Sequence, residues 1–556
     1  MSANGQADLV FVNGDVYTVD GARSWARAVA VRDGAIVAVG TDDDVADLRR
    51  ARTEVVDLAG RMLLPGFQDA HVHPVGGGLD MLQCDLNGEA SKEAYAAAIA
   101  AYAKDHPDEA WILGGGWAQD VFPRGTPTKE ELDAIVSDRP VFLVNRDGHG
   151  AWVNSKALEM AGISADTLDP RDGRIERNAD GSPHGTLHEG AQTLMSRHIP
   201  EVSDELVYQA LLEGQRYLHS FGITGWQDAI VTPTSHYRNY DAYLAAAEGG
   251  DLTGRVVGAL WWERSEGLEQ IDELVSLREN GRRGRFAATS VKIMQDGICE
   301  NFTGATLDPY LDEHGHPTDN RGLSMVEPEL LKEAVTRLDA LGFQVHFHAL
   351  ADRAVRESLD AVEAARTANG FNDLRHHLAH IQIVHPDDLP RFRELGALAN
   401  AQPLWAAHEA QMDDLTIPFL GEPRWTWQYP FGSLVRHGAT LVMGSDWSVS
   451  SPNPMEEMHV AVNRKMPASY PFRVDNDDVF LPDERIDLPT AMAAFTMGSA
   501  YANHRDQDTG SIEVGKRADL AVFDRNVFAH PVEEIAETRC LATYVDGERV
   551  YAAADA

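Results

Sequence analysis

The sequence predicts an α/β protein: a (β/α)8 TIM-type barrel with a large insertion after its first strand, plus a small β domain formed from both chain termini. Eight apolar, β-branched runs recur through the middle of the chain with helical stretches between them, the pattern of parallel strands joined by crossover helices. Short alternating segments with two-residue turn signals lie at both ends. Histidines and an aspartate stand where several central runs stop, and barrel enzymes collect their functional groups at the C-terminal ends of strands.

At the N-terminus, Asp8 to Thr18 around Asn13-Gly14 and Ala28 to Val39 around Asp33-Gly34 have the composition of β-hairpins with primed turns. At the other end Ala518 to Phe523 (ADLAVF) is a strand candidate, and Leu541 to Tyr551 is a hairpin about Asp546-Gly547. Neither group can bury a core alone, so residues 1–62 and 500–556 are expected to assemble one composite β domain. The barrel, residues 63–499, draws its strands from Leu63 to His71, Ile223 to Asp228, Arg255 to Trp262, Thr289 to Met294, Phe343 to His348, His377 to Gln382, Ala397 to Gln402 and Thr440 to Asp446. Helices fit between them, as at Pro328 to Leu341 and Arg353 to Ala368, with Leu341-Gly342 supplying a glycine stop. About 150 residues separate the first two strands, including WILGGGW (Trp111 to Trp117), VFLVNRDGHGAW (Val141 to Trp152) and a helical run from Ser203 to Phe221. One crossover needs far fewer, so roughly residues 75–200 are assigned to an insertion over the barrel mouth.

With 556 residues the chain exceeds one ordinary core, and its 44% apolar content is that of a globular protein. Against 48 basic residues stand 87 acidic ones, a net charge of −39 that disfavours phosphate backbones and anionic membranes. No nucleic-acid or membrane partner is expected. The first residues lack a basic stretch followed by an apolar run, and no later segment approaches 18 apolar residues, so a cytoplasmic protein is expected. Cys84, Cys299 and Cys540 are too few and too scattered for a disulfide framework or thiolate zinc site.

The strongest local signal is PGFQDAHVHP, Pro65 to Pro74. Residues two apart on a strand share a face, so His71 and His73 present both imidazoles together before Pro74 ends the strand. Imidazole suits zinc and similar ions, although His-x-His alone also fits a surface strand. Recurrence supplies the rest: His348 closes QVHFH, His380 closes the run from His377, and Asp446 closes LVMGSD. Lys292 is a charged residue inside the apolar strand SVKIM, where it needs a partner such as a metal cluster.

The chain resembles the amidohydrolase superfamily and, within it, the YtcJ-like (amidohydrolase family 3) branch. Besides GFQDAHVHP, the likeness is carried by RDGHGAWVNSKAL (Arg146 to Leu158), VKIMQDG (Val291 to Gly297), HFHALADRAV (His346 to Val355), LAHIQIVHPDDLPRF (Leu378 to Phe392), GSDWSVSSPNP (Gly444 to Pro454) and GSIEVGKRADLAVFD (Gly510 to Asp524). The resemblance implies that His71 and His73 hold one metal, His348 and His380 a second, with Lys292 bridging as a carboxylated lysine. It makes Asp446 both ligand and catalytic proton shuttle. One departure is Ala351 before Asp352-Arg353-Ala354, where the family tends to carry glycine; it leaves the helix start intact. His346, His376, His377 and His385 crowd the chosen ligands and are assigned orienting or surface roles.

A divalent ion on these residues, expected to be zinc at one or two per chain, with iron, manganese and cobalt open, would give hydroxide at neutral pH and polarise a carbonyl. The reaction this implies is metal-dependent hydrolysis of a linear amide C–N bond in a small molecule. The branch points to an N-substituted formamide, a deformylase activity. Trp226, Trp262, Trp405 and Trp447 fall near strand ends, and Trp117 and Trp152 lie in the insertion, suggesting an aromatic wall for an apolar or aryl amine portion. Trp117, His149, Trp152, Trp405 and Trp447 are the expected substrate contacts, and Asn154 is a further candidate. A hydrolase of cyclic amides or carbamates is the competing enzyme class, and a noncatalytic barrel scaffold the competing role of another kind; the complete ligand set weighs against the scaffold. Barrel helices and the small β domain offer docking surfaces, so a homodimer is the expected assembly.

Overall fold

The computed structural model describes residues 5–234, 238–474 and 478–554; the ends of the two terminal segments, 1–4 and 555–556, lie outside the described residues. At its centre are eight strands: β1 (Phe67–Val72), β2 (Ile223–Val231), β3 (Arg255–Trp261), β4 (Phe286–Met294), β5 (Gln344–Ala349), β6 (His377–His380), β7 (Leu398–Ala401) and β8 (Leu441–Met443). Each is parallel to the next in chain order. The ring closes at the mouth, where the Asp446 amide donates to the His71 carbonyl at 2.8 Å and the His73 amide to the Trp447 carbonyl at 2.6 Å. This is the predicted barrel, with every predicted strand present. Its strands are buried nearly throughout because helices cover the outside and side chains fill the inside, the condition that selected continuous apolar runs. Two of those helices, Pro328–Ala340 and Asp352–Asn369, lie within a residue of their predicted bounds.

Residues from both termini meet in a six-stranded sheet ordered Glu548–Ala552, Cys540–Val545, Leu520–Phe523, Met62–Pro65, Asp15–Tyr17 and Trp25–Ala26. A four-stranded sheet of Ala35–Gly40, Ala28–Arg32, Leu9–Val12 and Glu54–Asp57 accompanies it. The turns at Asp33-Gly34 and Asp546-Gly547 are the predicted hairpins, with positive φ at all four residues.

Two sequence expectations need correction. Asn13-Gly14 does not make a hairpin: Leu9–Val12 and Asp15–Tyr17 belong to different sheets, and the turn carries the chain between them. A Cβ at Gly14 would come within 2.2 Å of the end of the Leu58 side chain, which would have to turn aside. The single strand expected from Leu63 to His71 is two. It breaks at Gly66, so that Met62–Pro65 pairs with Leu520–Phe523 and only Phe67–Val72 enters the barrel.

The segment between β1 and β2 contains its own six-stranded sheet, ordered Gly173–Arg177, Pro183–Glu189, Gly150–Val153, Val141–Asn145, Ile112–Trp117 and Cys84–Asp85. Among the described residues no helix is long and apolar enough to cross a membrane.

Where the terminal sheet meets the start of β3, the buried Arg255 guanidinium donates to Asp519 at 2.7 Å and to Asp546 at 2.5 Å. Removing it strands the buried Asp519 carboxylate, and breaking a buried pair from one side costs roughly 3–5 kcal/mol. Arg255→Met, which keeps the apolar stem, is therefore expected to lower the urea unfolding midpoint by an amount that corresponds to a loss of that order in unfolding free energy. An unchanged midpoint would show that this junction does not hold the terminal sheet to the barrel.

Candidate metal centre

His71 and His73 leave the end of β1 on one face, and Pro74 starts the helix Pro74–Leu82 directly after them. Nε2 of His71 lies 3.1 Å, and Nε2 of His73 3.2 Å, from the same oxygen of Asp446, just beyond β8. His380, the last residue of β6, places Nδ1 3.7 Å from the other oxygen. Its ring centroid is 4.7 Å from that of His71 and 4.4 Å from that of His348 on β5. His348 donates Nε2–H to the Gly297 carbonyl at 3.1 Å, which leaves its Nδ1 lone pair free. The side-chain amine of Lys292, buried on β4, makes no hydrogen bond or ion pair among the described residues. Five of the six predicted ligands thus gather at one mouth, with Lys292 just below them as the register partner of His346.

Burial, helped by the charge of Lys292, pushes His71 down to about 3. Burial likewise takes His348 and His380 well below the ordinary histidine range. Lys292 falls to about 7 by burial, with Asp446 opposing the fall. For Asp446 itself burial opposes ionisation, but His71 and His380 outweigh it and the carboxyl stays well below its usual range. The result is a set of neutral imidazoles with available lone pairs beside an ionised carboxylate. One donor atom from each of His71, His73 and Asp446 lies within 4.8 Å of the others, a set chemically suited to a divalent cation.

The remaining predicted contacts divide. His149 reaches the mouth from the insertion, its ring 5.3 Å from that of His348. Its Nδ1 meets Glu189 Oε1 at 2.8 Å; burial disfavours the charged ring, but Glu189 prevails and raises it to about 9. Trp447 is packed beside Asp446 against Gly77 and Tyr217. Trp405, on the turn after β7, lies 5.3 Å from the guanidinium carbon of Arg146. Trp117 and Trp152 are elsewhere. Both are buried in the insertion's own core around Phe122, with indole N–H groups donating to the Leu143 and Thr128 carbonyls, so they build the lid and do not line the site. Trp226 and Trp262 are likewise buried in the core. Asn154 is a helix cap: its amide oxygen accepts from Ala157 and Val141, and its nitrogen donates to Val136 and Arg139.

Of the neighbouring histidines, His346 bonds His71 at 2.7 Å, His377 bonds Gln227 at 2.9 Å and His376 bonds Asp339 at 2.8 Å; His385 sits half-buried against Trp427. Sequence reasoning missed Asp69 and Glu189. Asp69 shares a strand face with His71, so period two could have found it; its carboxylate accepts from the amides of His71 and Ser445 and from the Ser445 hydroxyl. Glu189 accepts from Thr303 and Asn301 besides His149, partners that no local motif announces.

A family model described as "Amidohydrolase family" matches residues 54–551. The chain is 31% identical over 553 residues to "Protein LONG AFTER FAR-RED 3" of Arabidopsis thaliana, covering 98% of this chain and 92% of the relative. It is 30% identical over 562 residues to "N-substituted formamide deformylase" of Arthrobacter pascens, covering 97% of each. Among solved structures, an uncharacterised metal-dependent hydrolase from Pyrococcus furiosus superposes with a TM-score of 0.69 at 25% identity, covering 93% of this chain and 99% of that one.

The placement of Trp117 is open to a direct check. Trp117→Ala leaves a cavity in the insertion core and is expected to cost about 3–5 kcal/mol of stability in chemical unfolding. Bound metal per folded chain should stay at the wild-type value, since none of the gathered ligands touches that indole.

Proposed function

We propose that this chain, which belongs to the amidohydrolase family, hydrolyses a linear amide C–N bond, with an N-substituted formamide of apolar or aromatic amine portion as its substrate class. The observation that carries the reading is the convergence of His71, His73 and His380 on Asp446, with His348 and the unpaired Lys292 beside them. His71, His73 and Asp446 would hold one zinc ion, and His348 and His380 a second. Lys292, whose amine burial pushes down to about 7, would join them after carboxylation. When bound, zinc lowers the pKa of water and polarises a carbonyl oxygen.

The chain's own residues do the rest. Asp446 accepts a proton from the attacking water as the oxygen adds to the amide carbon, then returns it to the departing nitrogen as the C–N bond breaks, giving a carboxylic acid and an amine. His149, held by Glu189, faces the substrate from the lid side with its second ring nitrogen. Half-buried Trp405, on the turn after β7, would supply apolar surface to the substrate, which supports an apolar amine portion.

The testing experiment is metal analysis of the purified protein with an amine-release assay on N-benzylformamide, its N-acetyl counterpart and a cyclic amide. One or two zinc ions per chain with formamide cleavage is the expected outcome; bound metal with cleavage confined to the cyclic amide would overturn the substrate assignment. Asp446→Asn should reduce turnover by orders of magnitude while the fold persists. Lys292→Ala should lower metal content, and a short carboxylic acid should restore part of it.

A further inference from the structure

Below the mouth lies a row of polar residues that ordinary core packing does not explain. Lys292, His346 and His377 are register partners on β4, β5 and β6, one level beneath His348 and His380. His346 is fully buried, and its ring lies 4.0 Å from that of His377, which is itself held by Gln227 and Asn400. Nε2 of His346 meets Nδ1 of His71 at 2.7 Å, while the opposite nitrogen of His71 faces Asp446 at 3.1 Å. The other nitrogen of His346, Nδ1, is buried without a partner among the described residues. Leaving a buried polar atom unpaired is costly, so His346 is a poor way to fill the barrel unless its one hydrogen bond matters.

We propose that His346 is a positioning residue for the metal centre: its Nε2 accepts the hydrogen bond from Nδ1 of His71 and so fixes the ring that presents Nε2 to the cation. A neutral imidazole has one proton, and a ring that gives its Nε2 lone pair to a metal carries that proton on Nδ1. Nδ1–H of His71 then points at His346 and at no other acceptor among the described residues. Metal-ligating histidines ordinarily give this proton to a carboxylate, a carbonyl or water. Here the acceptor is a neutral ring on β5, across the barrel from β1, with the His377 ring tilted against it at 4.0 Å.

The inference rests on the metal reading above, and its test separates the two. Zinc affinity of the full chain is measured by competition with a chromophoric chelator. Loss of an orienting partner typically weakens metal binding by about 10–100-fold, the change expected for His346→Leu. His346→Gln, whose side-chain oxygen can accept from Nδ1–H, should recover most of it. Should the leucine variant fail to fold, His346→Met fills the site with a poor acceptor and takes its place. Affinity unchanged in the leucine or methionine variant, or lost equally in the glutamine one, would overturn the positioning role alone. A wild-type chain that binds no zinc would sink the metal reading, and this inference with it.

Discussion

The Asp69 carboxylate is the contact on which the site depends. It accepts from the His71 amide at 2.9 Å, from the Ser445 amide at 3.1 Å and from the Ser445 hydroxyl at 2.6 Å, tying the end of β1 to the end of β8. A barrel of eight strands in chain order must join its first strand to its last across the greatest separation in sequence, and that seam carries all three residues of the tightest ligand group, His71, His73 and Asp446. Gly444 lets the strands approach, since a Cβ there would lie 2.4 Å from the His71 nitrogen. Through this seam His71 and Asp446, 375 positions apart in the chain, come to 3.1 Å. Burial raises Asp69 to about 7 although three hydrogen bonds oppose the rise, so the fold accepts a costly group in order to close here.

The insertion contributes in a different way. Its hydrophobic cores are separate from the barrel's, built around Trp117 and Trp152 on one side of its sheet and Trp111, Leu158 and Ile175 on the other. It meets the mouth through the turn between Val141–Asn145 and Gly150–Val153, where Arg146 and His149 stand three residues apart. Arg146 is covered by Phe472 and Trp405, and His149 is held by Glu189 beside His348. The accessory sheet therefore brings His149 to the His348 ring that a barrel strand presents, while Arg146 beside it packs under Trp405 and Phe472.

How much of this was legible follows from what each signal encodes. Parallel strands buried on both faces must be apolar throughout, so all eight could be counted, and their polar ends marked His71, His73, His348, His380 and Asp446. The break at Gly66 was hidden because Met62–Pro65 and Phe67–Val72 are equally buried and differ only in which sheet receives them. Asn13-Gly14 has hairpin chemistry, yet the same left-handed residue serves a chain that crosses between sheets. Tryptophans near a mouth can wall a pocket or fill a core, and one sequence does not say which face of the insertion sheet looks toward the barrel. That ambiguity is why Trp117 and Trp152, read as substrate contacts, are core residues of the insertion.

The ligands converge because their backbones depart from regular strand geometry. Asp446, His380 and Ile381 have φ of +59°, +75° and +41°, and Glu189 behind His149 has +49°. Such conformations cost roughly 1–3 kcal/mol each in non-glycine residues, and a β-branched isoleucine is among the least suited to them. Each is held by its own amide: Asp446 to the His71 carbonyl, His380 to Gln402, Ile381 to the Ala349 carbonyl and Glu189 to the His149 carbonyl. In a regular strand, successive side chains would alternate between barrel interior and helix layer. Turning the backbone at the last residue instead directs His380 and Asp446 inward and upward, toward the imidazoles of β1. The strain is confined to strand ends, where neighbouring strands can hold it, and the regular barrel below is what makes it affordable.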